Sequence, residues 1–430
     1  MSFPSTRGTR RRLALFAGLV LDCALLLGIA APVPAIAQTF KTLYNFTCGN
    51  DGCFPAGPFL RDAQGTLYGT ALQSGPNNTG NGSIYKLTAS GHFTVLYNFP
   101  GHYGIGPDGA DPIGGLISDA QGNLYGVTQW GGPENDGVAF ELSPSGTFTL
   151  LHTFMGPPSD GSLPQAYLVA GPEGLFYGAT VSGGSGTCRG VQGICGTAYS
   201  MDSSGTLTII HNFQGGPTDG SEPWGNLLQD THGNFYGVTI GGGDNAGNLQ
   251  CGGDFGCGTI FELSRNGSGW ADKVLYRFEG GGAGMEPDAL AKDAQGNLYG
   301  ATVYGGIGSA SCPDGCGLVF ELSTDGTYTE LYRFKGKSDG KWPLSLVIDS
   351  AGNLYETAWG GVYKSPCSQW GCGVVFKLDQ NRKFTVLHRF HGRDGADPDS
   401  VIFDESTRTC YGVTVLGGSE DWGTIFQLKP

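Results

Sequence analysis

The chain has 430 residues, 77 of them glycine, with 14% charged residues and a formal net charge of −14. So acidic a balance excludes a nucleic-acid partner, because phosphate binding requires a basic face. Glycine at this level signals disorder in an aperiodic chain, but here it recurs at fixed places beside β-branched segments, as turns between strands do.

Residues 1–37 read as an export signal. Arg7, Arg10, Arg11 and Arg12 precede an apolar stretch from Leu13 to Ala31, and "PAIAQ" offers a small-residue cleavage site after Ala37. Asp22 in the middle of the span argues against a retained membrane anchor. A secreted protein, extracellular or periplasmic, is expected, with no membrane association once the signal is removed. "TRRRLA" also loosely resembles a twin-arginine signal.

From residue 41 onward four phrases recur in fixed order, seven times each. An aromatic-rich phrase comes first, "TLYNF" from Thr42 and "TVLYNF" from Thr94, ending with "TVLHRF" from Thr385. A proline-led run follows, from Pro55, Pro112, Pro164, Pro223, Pro287, Pro343 and Pro398, and in most copies it ends in an Asp-x-x-Gly turn suited to a hairpin. The third phrase is "QGNLYGVT" and its relatives, centred on Tyr68, Tyr125, Tyr177, Tyr236, Tyr299, Tyr355 and Tyr411, which lie 52 to 63 residues apart. The fourth is glycine-led: "GSIYKL" from Gly82, "GVAFEL" from Gly137, then copies from Gly196, Gly258, Gly317, Gly373 and Gly423.

Alternation and β-branched residues make all four phrases strands. Four hairpinned strands per period, seven periods and no long helical pattern predict an all-β seven-bladed β-propeller with four-stranded blades. The blades are expected at about 55–99, 112–154, 164–213, 223–278, 287–334, 343–390 and 398–428, the last completed by residues 41–46. The proline-led run would be innermost and the aromatic-rich phrase outermost. Closing the ring with the first strand leaves no unpaired edge.

Ten cysteines form close pairs: Cys48/Cys53, Cys188/Cys195, Cys251/Cys257, Cys312/Cys316 and Cys367/Cys372. In the last four pairs the second cysteine directly precedes the glycine of the fourth phrase. Local disulfides that stiffen hairpin loops are expected, and zinc is disfavoured because the pairs lie on separate blades without nearby histidines. Cys410 replaces a strand leucine and reads as a small apolar filler.

The repeat resembles the GloVer tandem-repeat family of bacterial exported proteins, whose units carry "GNLYGTT", a glycine-led "GTVFKL", and "LYxF" with a "DGxxP" segment. The resemblance covers nearly all of residues 41–428 and implies propeller-like repeats and export. It implies no particular activity.

Strand order places the loops between second and third strands, and those between blades, on one face. That loop face collects the disulfide pairs and the "DGxxP" aspartates Asp51, Asp108, Asp160, Asp219, Asp339 and Asp394, with Ala283 at the equivalent place in blade 5. These carboxylates could attract a cation, or each could cap its own turn. Trp130, Tyr304 and Trp359 stand just before the Gly-Gly that follows the tyrosine phrase, Trp370 lies within the disulfide loop of the sixth blade, and Trp224 and Trp342 flank inter-blade prolines. Flat rings on stiff loops suit sugars or protein surfaces. His152, His211 and His388 occupy the place of Tyr in "LYNF" and read as outer-strand packing. No nucleophile motif appears, and no cofactor is expected. The leading reading is a monomeric extracellular binding module for a glycan or a protein. The alternatives are a carbohydrate-active lyase or glycosidase using loop-face carboxylates, and a purely structural surface protein.

Overall fold

The structure, a computed structural model, describes residues 38–74, 80–102, 104–243, 251, 255–306, 308–310, 312–361, 367 and 371–430. The expected signal and Trp370 lie outside the described residues. Residues Gln38–Pro430 form one compact unit.

Each repeat becomes one antiparallel four-stranded blade, and the blades follow one another around a closed ring. In blade 1 the order from the axis outward is Cys53–Arg61, Leu67–Gln73, Ser83–Leu87 and Phe93–Asn98. Blade 7 comprises Ala396–Asp404, Thr409–Leu416 and Thr424–Lys429, and its outermost strand is Thr39–Asn45, which pairs with Thr424–Lys429. The ring is therefore closed by the first strand of the unit. One departure is local. Blade 3 has a broken innermost strand, Gly161–Pro164 and then Val169–Ala170, and "GPEG" in place of the usual turn forms a short 3-10 segment after it.

The phrases recur because they hold contacts that repeat in most of the blades. The glycine of the tyrosine phrase lies under an aromatic ring of the third strand: a Cβ on Gly126 would stand 2.7 Å from Phe140 Cζ, so a side chain there has no room. The tyrosine two-thirds along the hairpin donates its hydroxyl to the turn aspartate, as Tyr125 does to Asp119 at 3.1 Å and Tyr299 to Asp293 at 3.2 Å.

The junctions between blades repeat just as closely. The residue before each proline, Phe54, Asp111, Leu163, Glu222, Glu286, Trp342 or Asp397, has a left-handed backbone with φ between 51° and 58°. Such a conformation is strained for a side-chain-bearing residue and persists only where surroundings impose it. What imposes it is an inter-blade hydrogen bond. Its N–H donates to the carbonyl just before the glycine-led strand of the preceding blade: Asp111 to Asn81 at 3.0 Å, Glu222 to Cys195 at 2.8 Å, Trp342 to Cys316 at 2.9 Å. The glycine then packs on the proline ring. A Cβ on Gly137 would meet Pro164 Cδ at 2.7 Å, and φ there is +95°, so only glycine fits. The closing junction is built identically, with Phe54 donating to Trp422 at 3.1 Å and Gly423 against Pro55.

Candidate functional site

The loop-face aspartates are held by their own neighbourhoods. Tyr44 donates to Asp51 and Tyr332 to Asp339, each at 3.0 Å, and Tyr97 donates to Asp108. Histidines take the same role elsewhere: His152 Nε2 lies 3.0 Å from Asp160, His211 Nε2 3.1 Å from Asp219 and His388 Nε2 2.8 Å from Asp394. Main-chain N–H groups add to this, as Met155 and Gly161 do for Asp160. The sequence position therefore alternates between Tyr and His because both carry a ring donor. Packing alone, the expectation for these histidines, misses that bond. Where blade 5 has Ala283, Tyr276 stacks on Tyr328 at 4.2 Å.

Six aspartates in six separate loops do not converge on one cation. Among the described residues one group of three ligating side chains has its atoms within 4.8 Å of one another: His211, Asp219 and Asp272. Asp272 sits at the outer-strand position that Phe93 holds in blade 1, where Phe93 stacks on Tyr44 at 3.9 Å. Burial would lower His211, but its hydrogen bond to Asp219 and the charges of Asp219 and Asp272 raise its pKa. Burial holds Asp272 up at about 6. Asp394 shows the opposite balance: burial raises it, yet the bonds from His388 and the His391 N–H hold it below the usual carboxylate range.

All five local cysteine pairs are disulfides, with Cα atoms 4.5 to 5.5 Å apart, and Cys410 is a buried free thiol. Four of the bridges end on the residue before the junction glycine, and the carbonyls of Cys195, Cys257, Cys316 and Cys372 are the ones that hold the next blade. The staples therefore brace junctions as well as loops.

Trp130 and Tyr304 are the last residues of second strands, Leu124–Trp130 and Leu298–Tyr304, and Trp359 lies inside Leu354–Gly360. They are strand residues rather than loop residues, because second and innermost strands stay paired up to the loop face, with Trp130 opposite Ala110 and Tyr304 opposite Met285. Three of the expected aromatics meet. Trp342 is 6.3 Å from Tyr304 and 5.6 Å from Trp359, and Lys341 Nζ lies 4.0 Å from the Trp342 ring. Trp342 is buried, while Tyr304 and Trp359 are largely buried with part of their surface accessible. Trp224 is elsewhere: it lines a cavity on the ring axis.

That cavity, of about 460 Å³, is where the innermost strands converge. Blades 3 and 4 contribute Gln165, Tyr167, Trp224 and Asn226; blades 5 and 7 contribute Asp288 and Asp399. Trp224 Nε1 donates to Asp288 at 3.0 Å and the Gly57 N–H to Asp399 at 2.7 Å. Behind the blade 6 wall lies Glu356, at the position where the other six repeats have the glycine of the tyrosine phrase. It is 0% exposed, and neither carboxylate oxygen has a hydrogen-bond partner among the described residues. Burial pushes Asp288 up to about 8, the charge of Asp399 adding to it and the Trp224 bond opposing it. Glu356 is raised well above the carboxylate range by burial and by Asp288. At the loop-face end of the same strands, burial raises Asp111 to about 6, and burial with the charge of Asp421 raises Asp397 to about 7. The sequence reading missed this site. Its signal was visible as departures from the repeat: aspartate after the proline in two blades and glutamate for glycine in one.

A closed ring of seven four-stranded blades with bridged loops and an acid-lined axial cavity defines a β-propeller built from one repeat. Residues 28–192 and 186–426 match the Gloeobacter/Verrucomicrobia repeat, and the chain belongs to that repeat family. No curated protein sequence matches it. Among solved structures it is similar to a streptogramin B lyase, with TM-score 0.57 and 13% identity over 91% of this chain and 97% of that one. It is similar also to virginiamycin B lyase from Staphylococcus aureus, with TM-score 0.55 and 14% identity over 91% and 99% of the two chains. A third is the extracellular domain of a one component system from B. thetaiotaomicron, with TM-score 0.53 and 13% identity over 91% of this chain and 42% of that one. At these identities the likeness is one of fold. No helix among the described residues is long and apolar enough to cross a membrane.

Proposed function

We propose that the chain is an exported binding module that takes a glycan on its loop face. The observation that carries this reading is the contact row Tyr304–Trp342–Trp359 across blades 5 and 6, in which a buried tryptophan lies between two partly accessible rings. Rings fixed in this way present apolar faces at small entropic cost, as sugar stacking requires. Five bridged loops and the basic, apolar sequence of residues 1–37 support export. The loop-face aspartates support a structural role, since each is engaged by a ring donor or the main chain.

A glycan array probed with the purified protein tests the reading. Trp359→Ala should weaken retention of the selected glycan by about 1–3 kcal/mol and leave the melting temperature nearly unchanged. Loss of stability without a specific binding defect, or retention on no glycan, would retire it.

A further inference from the structure

The axial cavity has walls of opposite character. Its acids come from three consecutive blades: Asp288 from blade 5, Glu356 behind the wall of blade 6 and Asp399 from blade 7. Its aromatic faces, Trp224 and Tyr167, come from blades 4 and 3. In the register after the innermost proline the other blades carry Ala56, Ile113, Gln165, Trp224 and Leu344, so the two aspartates are departures from the repeat. The lining contains no Lys, Arg or His. Negative charge enclosed without a counter-charge is costly and favours a positive occupant.

Glu356 makes the case independently of the aspartates. At its position in blades 5 and 7 the glycine Cβ direction lies between the third-strand phenylalanine ring and the innermost strand, with Phe320 Cζ 2.4 Å and Ala289 O 2.8 Å from a Cβ on Gly300, and Phe426 Cζ and Ser400 O each 2.4 Å from one on Gly412. The corresponding stretch of blade 6, Leu344 to Leu346, lines the cavity, and Glu356 is paired with Leu346. A fully buried carboxylate with no hydrogen-bond partner among the described residues therefore stands directly behind the cavity wall, close enough for the charge of Asp288 to act on it. Its size and shape exclude a bare metal ion as the fitted occupant. The three acids are not within 4.8 Å of one another, the volume of about 460 Å³ is that of a small-molecule site, and the wall includes two aromatic side chains, Tyr167 and Trp224, with several aliphatic ones.

We propose that the axial cavity binds a compact organic ammonium ion, its charge facing Asp288 and Asp399 and its alkyl surface lying against Trp224 and Tyr167. Cation–π attraction and charge then act on the same group from two sides. Asp288 is faced by Asp399, Glu356, Tyr167 and the Trp224 N–H, and by no cationic side chain among the lining residues. Held up at about 8, it carries a proton at neutral pH when the cavity is empty. A bound ammonium ion favours the carboxylate, so binding releases that proton and strengthens as pH rises through this value.

Calorimetric titration of the purified chain with tetramethylammonium, and with 1,4-diaminobutane, tests the proposal. Glucose and calcium serve as comparison probes. Saturable ammonium binding is expected at about pH 9, at least tenfold weaker at about pH 6, with proton release at about pH 7 seen as a dependence of the heat on buffer ionisation. Asp288→Asn should weaken binding about tenfold and flatten the pH dependence; if that variant does not fold, Asp399→Asn and the proton release of the unaltered chain decide. No ammonium binding at about 10 mM, binding unchanged in both variants, or saturable binding of calcium or glucose alone would overturn the proposal. Trp359→Ala should leave ammonium binding intact, which separates this site from the glycan reading.

Discussion

Glu356 shows how one residue can be set against the repeat around it. A carboxyl whose pKa is raised by the fold contributes full stability below the pKa of the unfolded chain, and this is lost as pH rises through the folded value. Glu356→Gln keeps the volume and removes the titration. Its folding stability in denaturant melts should match that of the unaltered chain at about pH 4 and exceed it by roughly 1–3 kcal/mol at about pH 8; a difference independent of pH would refute a buried, unpartnered acid. Asp219→Ala has the opposite sign. It orphans the His211 ring donor and the N–H groups of Gln214 and Gly220, and should cost about 1–3 kcal/mol in a denaturant melt. Both residues stand plainly in the sequence. Periodicity brings out what the copies share, so the recurring aspartate stands out and the single glutamate in "YETA" does not.

At the scale of the element, the glycine–proline junction carries the architecture. Gly137→Ala places a Cβ against Pro164 at a backbone angle that alanine tolerates poorly, and should cost about 2–4 kcal/mol. Gly146 has a similar φ of +86° but open space around it, so Gly146→Ala should cost only about 1 kcal/mol. Equal losses in thermal melts would show that φ alone matters. Strand number, strand order and the five disulfide pairs were legible because each depends on local spacing. The junction hydrogen bonds were not, since they join a residue before a proline to a carbonyl one blade earlier. The axial site was hidden for the same reason: Asp288 and Asp399 lie two blades apart and share a cavity only once the ring has closed.

For the whole molecule, closure is the controlling event. Thr39–Asn45 caps the edge of Thr424–Lys429, and Phe40 stacks on His388 at 3.6 Å while packing on Phe426. Deleting residues 38–47 removes that burial, leaves the Cys48–Cys53 bridge in place, and should lower the melting temperature sharply; an unchanged value would show that closure contributes nothing.

The closing junction uses the same left-handed residue, the same N–H to carbonyl bond and the same glycine-on-proline contact as the other six. Thr39 pairs with Lys429, so the two ends of the unit emerge side by side, where other blades place a tight hairpin. No blade is mechanically first. A circular permutant, with residues 38 and 430 joined by a short polar linker and new ends cut at the exposed turn of Ser145 and Gly146, should therefore fold to the same ring and unfold within a few degrees of the parent.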